Sequence, residues 1–439
     1  MPGRHHRFPR ALALLSIVAI GVGACTSGGA SPSAGASGTP AGSGSGGGGS
    51  VEVFSWWTAG GEAEGLEAML EVFQAEYPQY TFENAAVAGG AGTNARAVLA
   101  TRLSQNDPPD SWQGHAGQEL IGTYVASGKI EPLNDLYEEE GWLDVMPEGL
   151  IDLISQDGNI YSVPVNIHRA NVMWYVPDNL EQWGVEPPAT WDEFLETAAT
   201  LEAAGVTPLA MGEQWTSMHL FETVLLGSLG TDGYNALWDG SGDWGSSEVL
   251  DAIDTFGQVL AYTNDDSSTL SWDQAAQLVV DGDAAFTIMG DWAEGYFKQQ
   301  NLEPETGFGW DPAPGTDGAF QFLSDSFVLP VGAPNREGAI AWLKVAGSQA
   351  GQDAFNPVKG SIPARSDGDR SLYDAYLTSA MDDWESDTVV GSLTHGVVAN
   401  DAWKAEIDTA IGLFLSDTDA GALGEALAAA CAASGACGG

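Results

Sequence analysis

The sequence predicts an α/β protein whose folded body divides into two lobes, each a doubly wound sheet with flanking helices. Two observations lead there. About 390 residues follow Ser50, more than the ~250–300 that a single hydrophobic core organises. Within them, short strand-like runs alternate with segments whose apolar residues recur at three and four, and such alternation builds a parallel sheet covered by helices. Ligands of such sheets bind beyond the carboxyl ends of the strands.

Two segments precede the body. Arg4, Arg7 and Arg10 stand before a mostly apolar stretch over 11–22, and Val22-Gly23-Ala24-Cys25 closes it with small residues and a cysteine. This is the pattern of a cleaved secretory signal over 1–24. Its apolar stretch, roughly 12–15 residues, is shorter than the ~20 that a membrane-spanning helix needs. Residues 26–50 contain only Gly, Ser, Ala, Pro and Thr, so 25–50 reads as a flexible linker with an r.m.s. span of about 25–30 Å.

Composition narrows the partners. The formal charge is −47 and falls to about −50 once the three arginines of the signal are removed. Nothing on such a body neutralises phosphate, which argues against nucleic acid and anionic lipid as partners. Cys431 and Cys437 lie close together after a helix over 422–433. Outside the cytoplasm they are expected to pair across Gly435. Two thiols with no nearby His make a poor metal site, and no metal or cofactor is expected.

The elements follow in order. Val51-Glu52-Val53-Phe54-Ser55-Trp56-Trp57 reads as a strand and Thr58-Ala59-Gly60-Gly61 as a turn. Leu66, Met69, Leu70, Phe73 and Tyr77 mark a helix with Glu62 and Glu64 in its first turn, stopped by Pro78. Strands are expected over 80–83 and 110–113 and a helix over 93–103. Helices are expected over 191–204, capped by Thr190, over 251–262 and over 338–346. Strands are expected over 284–289 and, as one run, over 320–329. No repeat of 20–50 residues appears.

The residues that carry chemistry are aromatic and polar together. The chain has 16 Trp, and Trp56, Trp57, Trp272 and Trp292 stand at element ends beside polar groups. A pyranose needs an aromatic surface under its C–H face and fixed donors and acceptors at its hydroxyls. Asp239-Gly240-Ser241-Gly242-Asp243 begins like a calcium loop, but Leu250 stands where the bidentate acid belongs, so it reads as a surface turn. No phosphate loop, nucleophile elbow or zinc helix is present.

Five segments together resemble the extracellular solute-binding proteins, family 1, that feed ABC sugar importers. They are the signal with Cys25, Phe54-Ser55-Trp56-Trp57, Tyr161-Ser162-Val163-Pro164-Val165-Asn166-Ile167-His168, the stretch Gly282-Asp283-Ala284-Ala285-Phe286 to Gly290-Asp291-Trp292, and Lys359-Gly360-Ser361-Ile362-Pro363-Ala364-Arg365. Within that family, Gln113-Gly114-His115, Asp325, Lys359 and Thr394-His395-Gly396 resemble the glucose- and galactose-binding members.

The resemblance implies a type II periplasmic-binding-protein fold with a hinge. Residues 51–163 and 320–363 would form one lobe and 164–319 and 364–439 the other, with crossings near Pro164, Phe320 and Pro363. It implies that Trp57 and Trp272 sandwich a monosaccharide of glucose, galactose or mannose type, with Trp56 and Trp292 closing the pocket. Glu62, Gln113, His115, Asp325, Lys359 and His395 would hold the hydroxyls, with Asn166, His168 and Trp215 in a second tier. It implies a lipid on Cys25 as the only membrane attachment, on the extracytoplasmic face. It also implies partnership with permease subunits and a cytoplasmic ATPase, a monomeric state and no enzymatic activity. The rivals are a lipid-anchored glycoside hydrolase, a binding protein for a short oligosaccharide, and a surface adhesin or sensor.

Overall fold

The computed structural model describes residues 48–58, 60–89 and 92–437; the signal, Cys25 and most of the linker lie outside them. Two mixed sheets are the frames of the two lobes; one large apolar cluster packs the first sheet and reaches one face of the second, and another packs the second sheet's other face. The first sheet runs in the order Tyr80–Asn84, Gly49–Phe54, Ser111–His115, Asp325–Val328 and Ser162–Pro164. Its leading strand starts inside the stretch read as linker, because Gly49 and Ser50 pair with Tyr80 and Thr81.

The strands Gly49–Phe54, Tyr80–Asn84 and Ser111–His115 are parallel, joined through the helices Gly60–Glu76 and Thr93–Ser104. Asp325–Val328 is antiparallel to both its neighbours, which corrects the expectation of a wholly parallel sheet. It enters directly from another sheet without a crossover helix, so nothing obliges it to run parallel. The second sheet, Gly309–Pro312, Val172–Tyr175, Ala284–Ile288 and Thr207–Leu209, is mixed as well.

The expected single strand over 320–329 is two strands. Ala319–Leu323 pairs with His168–Arg169 and Thr388–Gly391, whereas Asp325–Val328 belongs to the first sheet. Ser324 alone separates them. The first sheet therefore resumes at Asp325 and not at Phe320. Both strands are buried throughout, so the run carried no period-two pattern that would have betrayed the change of sheet.

Local signals set the element ends. The Thr190 hydroxyl accepts from Glu193 N at 3.2 Å and starts Trp191–Ala203. The Gln274 side chain accepts from Ser271 N at 2.9 Å and fixes the start of Trp272–Asp281, which places Trp272. Ala420–Ser434 ends at Gly435, φ +82°, and Cys437 returns to form a disulfide with Cys431. Where Gly60–Glu76 meets Trp292–Gln299 and the end of Gln349–Lys359, two glycines allow close contact. A Cβ on Gly61 or Gly295 would come within 2.8 or 2.9 Å of backbone carbonyl oxygen.

Phe73 anchors the first core. It is fully buried, and its ring meets Tyr77, Tyr80, Phe82 and Trp342 at centroid distances of 5.8 to 6.4 Å. Phe73→Ala is expected to lower the unfolding free energy by about 3–5 kcal/mol in denaturant titrations followed by tryptophan fluorescence. A change below ~1 kcal/mol would mean that this helix is not held by the core described.

Candidate ligand-binding site

Strand ends of the first sheet and helix starts of the second lobe enclose a cavity of about 420 Å³. Trp56 and Trp57 follow the strand Gly49–Phe54, His115 ends Ser111–His115, and Asp325 opens Asp325–Val328. Trp272 and Trp292 each stand at the first position of a helix. Lys359 ends Gln349–Lys359. These residues, Glu62 and His395 all line the cavity, as do His168 and Trp215 from the second tier.

Gln113 and Asn166 do not line it; they stand behind Asp325. Gln113 Nε2 donates to Asp325 Oδ1 at 2.8 Å and Asn166 Nδ2 to Oδ2 at 2.8 Å, while Asp325 N donates to Asn166 Oδ1 at 2.8 Å. His168 Nε2 lies 3.3 Å from Asp325 Oδ2, and His168 Nδ1 donates to Asp291. Asp291 in turn accepts from Arg169 N at 2.9 Å. Every short polar side chain near the carboxylate thus has a partner, as burial of a charge demands.

The charges follow from these contacts. Burial opposes ionisation of Asp325, but the hydrogen bond and charge of His168, then Lys359 and His115, hold its carboxyl below the usual range. Burial lowers His168, and Asp291 overrides that and raises it. Burial raises Glu62 although Lys359 Nζ donates to Glu62 Oε1 at 3.1 Å. Burial, then the charges of His115 and His219, push His395 well below its ordinary value. A neutral His395 both accepts and donates hydrogen bonds, which suits a hydroxyl.

The aromatic wall is built from both lobes. Trp57 lines the cavity and has no exposed surface; its ring packs against Phe355 at 4.8 Å and meets Phe327 edge-on at 5.6 Å. Trp56 turns toward His115, 5.0 Å away. Trp272 is half-buried and meets Tyr296 at 5.9 Å. Trp292 lies edge-on to His395 and His168 at 5.1 and 5.4 Å, with Lys359 Nζ 5.6 Å from its ring centre.

Sequence reasoning missed Tyr296 and Gln299, which also line the cavity. Their signal was available: they stand four and seven positions after Trp292 on the helix Trp292–Gln299, and so on its face. Glu119 was missed too. It is fully buried, its Oε2 accepts from His115 Nδ1 at 2.8 Å and from Arg96 Nη1 at 3.3 Å, and its Oε1 accepts from His115 N at 3.1 Å.

Comparison with known proteins places this geometry. Residues 49–353 match the family described as bacterial extracellular solute-binding protein. A probable sugar-binding periplasmic protein of Brucella suis is 34% identical over 392 residues, covering 87% of this chain and 90% of that one. Two solved structures superpose with a TM-score of 0.76. The solute receptor AcbH, described as having an exclusive preference for β-D-galactopyranose, is 17% identical, and a chitin oligosaccharide binding protein is 19% identical. Each comparison covers 88% of this chain and 98% of the other, and at that identity it speaks for the two-lobed fold alone.

Glu119 yields a pH test. Burial would raise its carboxyl, but His115 and Arg96 hold it down to about 2 from 4.5. A depressed folded value means stability that is fully present above pH 4.5 and lost as pH falls toward 2, on the order of 3 kcal/mol. Glu119→Gln is therefore expected to be less stable than the parent by about that much at pH 7, with the gap closing in acid. A gap that does not change with pH would contradict the assignment.

Proposed function

Because this chain belongs to the family of bacterial extracellular solute-binding proteins, we propose that it captures a sugar in the cavity and hands it unchanged to the permease subunits of an ABC importer. The observation that carries the reading is the wall: Asp325, Glu62, Lys359 and His395 converge beside the indoles of Trp56, Trp272 and Trp292. Carboxylates accept from hydroxyl pairs, an ammonium donates, and flat rings cover C–H faces. A volume near 420 Å³ lies at the low end of the ~300–1,000 Å³ range of ligand pockets and favours one or two rings over a longer chain. We read the ligand as a hexose of glucose, galactose or mannose type. A disaccharide is the second reading, favoured by a neighbouring cavity of about 500 Å³ that shares Glu213 and Trp215 with the first.

In this reading the first lobe comprises 51–163 and 320–363, and the second 164–319 and 364–439. A ligand touching Asp325 and Lys359 on one side and Trp272, Trp292 and His395 on the other stabilises the closed arrangement of a hinge. A lipid on Cys25 tethers the monomeric body to the extracytoplasmic face of the cell membrane, where a flexible linker lets it reach a permease driven by a cytoplasmic ATPase.

Titration calorimetry against glucose, galactose, mannose, xylose and a set of disaccharides tests the ligand. At least one hexose is expected to bind at micromolar concentration or tighter, about −8 kcal/mol, and to be recovered unhydrolysed. Trp272→Ala is expected to weaken it by about 2 kcal/mol. Binding of disaccharides alone would overturn the hexose reading, and release of new reducing ends would favour the hydrolase.

Cys25→Ser tests the anchor. Losing every acyl chain, each worth roughly 0.8 kcal/mol per buried methylene, leaves an acidic body with no other attachment. Cell fractionation is expected to move the protein from membrane to soluble or secreted fractions with sugar affinity unchanged; continued membrane retention would place the attachment elsewhere.

A further inference from the structure

We propose that His219, Glu222 and His395 form a separate site for a late first-row divalent transition metal such as Zn²⁺. A ligand atom from each lies within 4.8 Å of the other two. Exposures are 0, 0 and 3%. His219 and Glu222 are three residues apart on the helix Gln214–Asp239 and so share a face, and His395 faces them from the loop after Thr388–Gly391. Neither His219 nor Glu222 lines the sugar cavity; His395 alone belongs to both places.

One unfinished interaction points to an occupant. His219 Nδ1 is buried with no hydrogen-bond partner, 3.7 Å from Glu222 Oε1. Glu222 is a buried carboxylate whose donors are Ser392 Oγ, Leu393 N, Thr394 N and Tyr234 OH, none of them cationic. A divalent cation between Glu222 Oε1 and His219 Nδ1 would give that nitrogen the partner it lacks.

The surroundings are already those of a metal-bound imidazole. The other ring nitrogen of His219, Nε2, donates to the Ala170 carbonyl at 3.0 Å, which fixes the tautomer with the Nδ1 lone pair free. His395 Nδ1 is held by Ser392 Oγ at 2.9 Å, and the same hydroxyl donates to Glu222 Oε1 at 2.9 Å. Trp215 and Trp292 pack around both imidazoles at 5.1 to 6.3 Å. Two imidazoles and one carboxylate suit Zn²⁺ and its neighbours and not Ca²⁺ or Mg²⁺, which take oxygen ligands. Tetrahedral bonds of ~2.0–2.2 Å hold ligand atoms about 3.4 Å apart, so side-chain shifts of about an ångström close the site and leave a fourth position for water.

Co²⁺ is the probe, added to the full chain without an affinity tag. Tetrahedral Co²⁺ absorbs visible light far more strongly than the octahedral Co²⁺ that surface carboxylates hold. One equivalent is expected to give a tetrahedral spectrum that Zn²⁺ abolishes, and Zn²⁺ is expected to raise the melting temperature. His219→Gln and Glu222→Gln, checked for folding by near-ultraviolet circular dichroism, are each expected to lose Co²⁺ affinity by about a hundredfold or more. His219→Gln is also expected to lose the thermal shift. A parent that shows only the weak octahedral spectrum overturns the proposal. So does a tetrahedral spectrum that persists in His219→Gln, which would place the metal elsewhere, for instance at His5 and His6. Neither outcome bears on sugar binding.

Discussion

The burial of one carboxylate constrains the rest of the site. Asp325 is 3% exposed at the point where the chain changes sheets, with Ser324 the only residue between the two strands. An unpaired charge there would cost several kcal/mol, so donors must converge on it. They come from three places: Gln113 on Ser111–His115, Asn166 and His168 on the segment after Ser162–Pro164, and Lys359 through its field. Gln113 stands on a strand paired with Asp325–Val328, so its bond to Asp325 agrees with that register. The pairings Asp325↔His115 and Ser326↔Pro164 are the backbone expression of that convergence.

Around this anchor the second layer decides what the first layer presents. Glu119 orients His115, Asp291 orients His168, and Glu222 with Ser392 orients the loop that carries His395. All three acids are buried and none lines the cavity. The polar rim is therefore preorganised by groups that a ligand never touches, which reduces the ordering cost of binding. Close helix packing at Gly61 and Gly295 does the same for Glu62, Lys359 and Trp292, because it brings three helices together at one edge of the cavity.

Much of the fold was readable because local signals agreed with it. Thr190, the apolar face from Leu66 to Phe73, and Gly435 marked helix boundaries to within a residue or two. The crossing at Ser324 was not readable, since both strands are buried on both faces and Ser324, Asp325 and Ser326 are buried with them, so no exposed turn marks the change. In the site, Trp292 stood out as an aromatic residue at an element end, and Asp325, Lys359 and His395 were named through the family resemblance. Gln113 and Asn166 were named as ligand contacts because sequence does not separate a residue in the wall from one that braces it. Trp56 and Trp57 were both legible as wall residues, because they follow a strand end directly. Glu119 was invisible among 61 acids; only its burial beneath His115 distinguishes it.

A crystal structure of the protein grown with a saturating concentration of the hexose that it binds most tightly is the sharpest test. A pyranose is expected in the cavity with hydroxyls within hydrogen-bond distance of Asp325, Lys359 and His395 and a ring face against Trp272 or Trp292. A cavity holding only solvent under those conditions, or a sugar bound elsewhere on the surface, would contradict it.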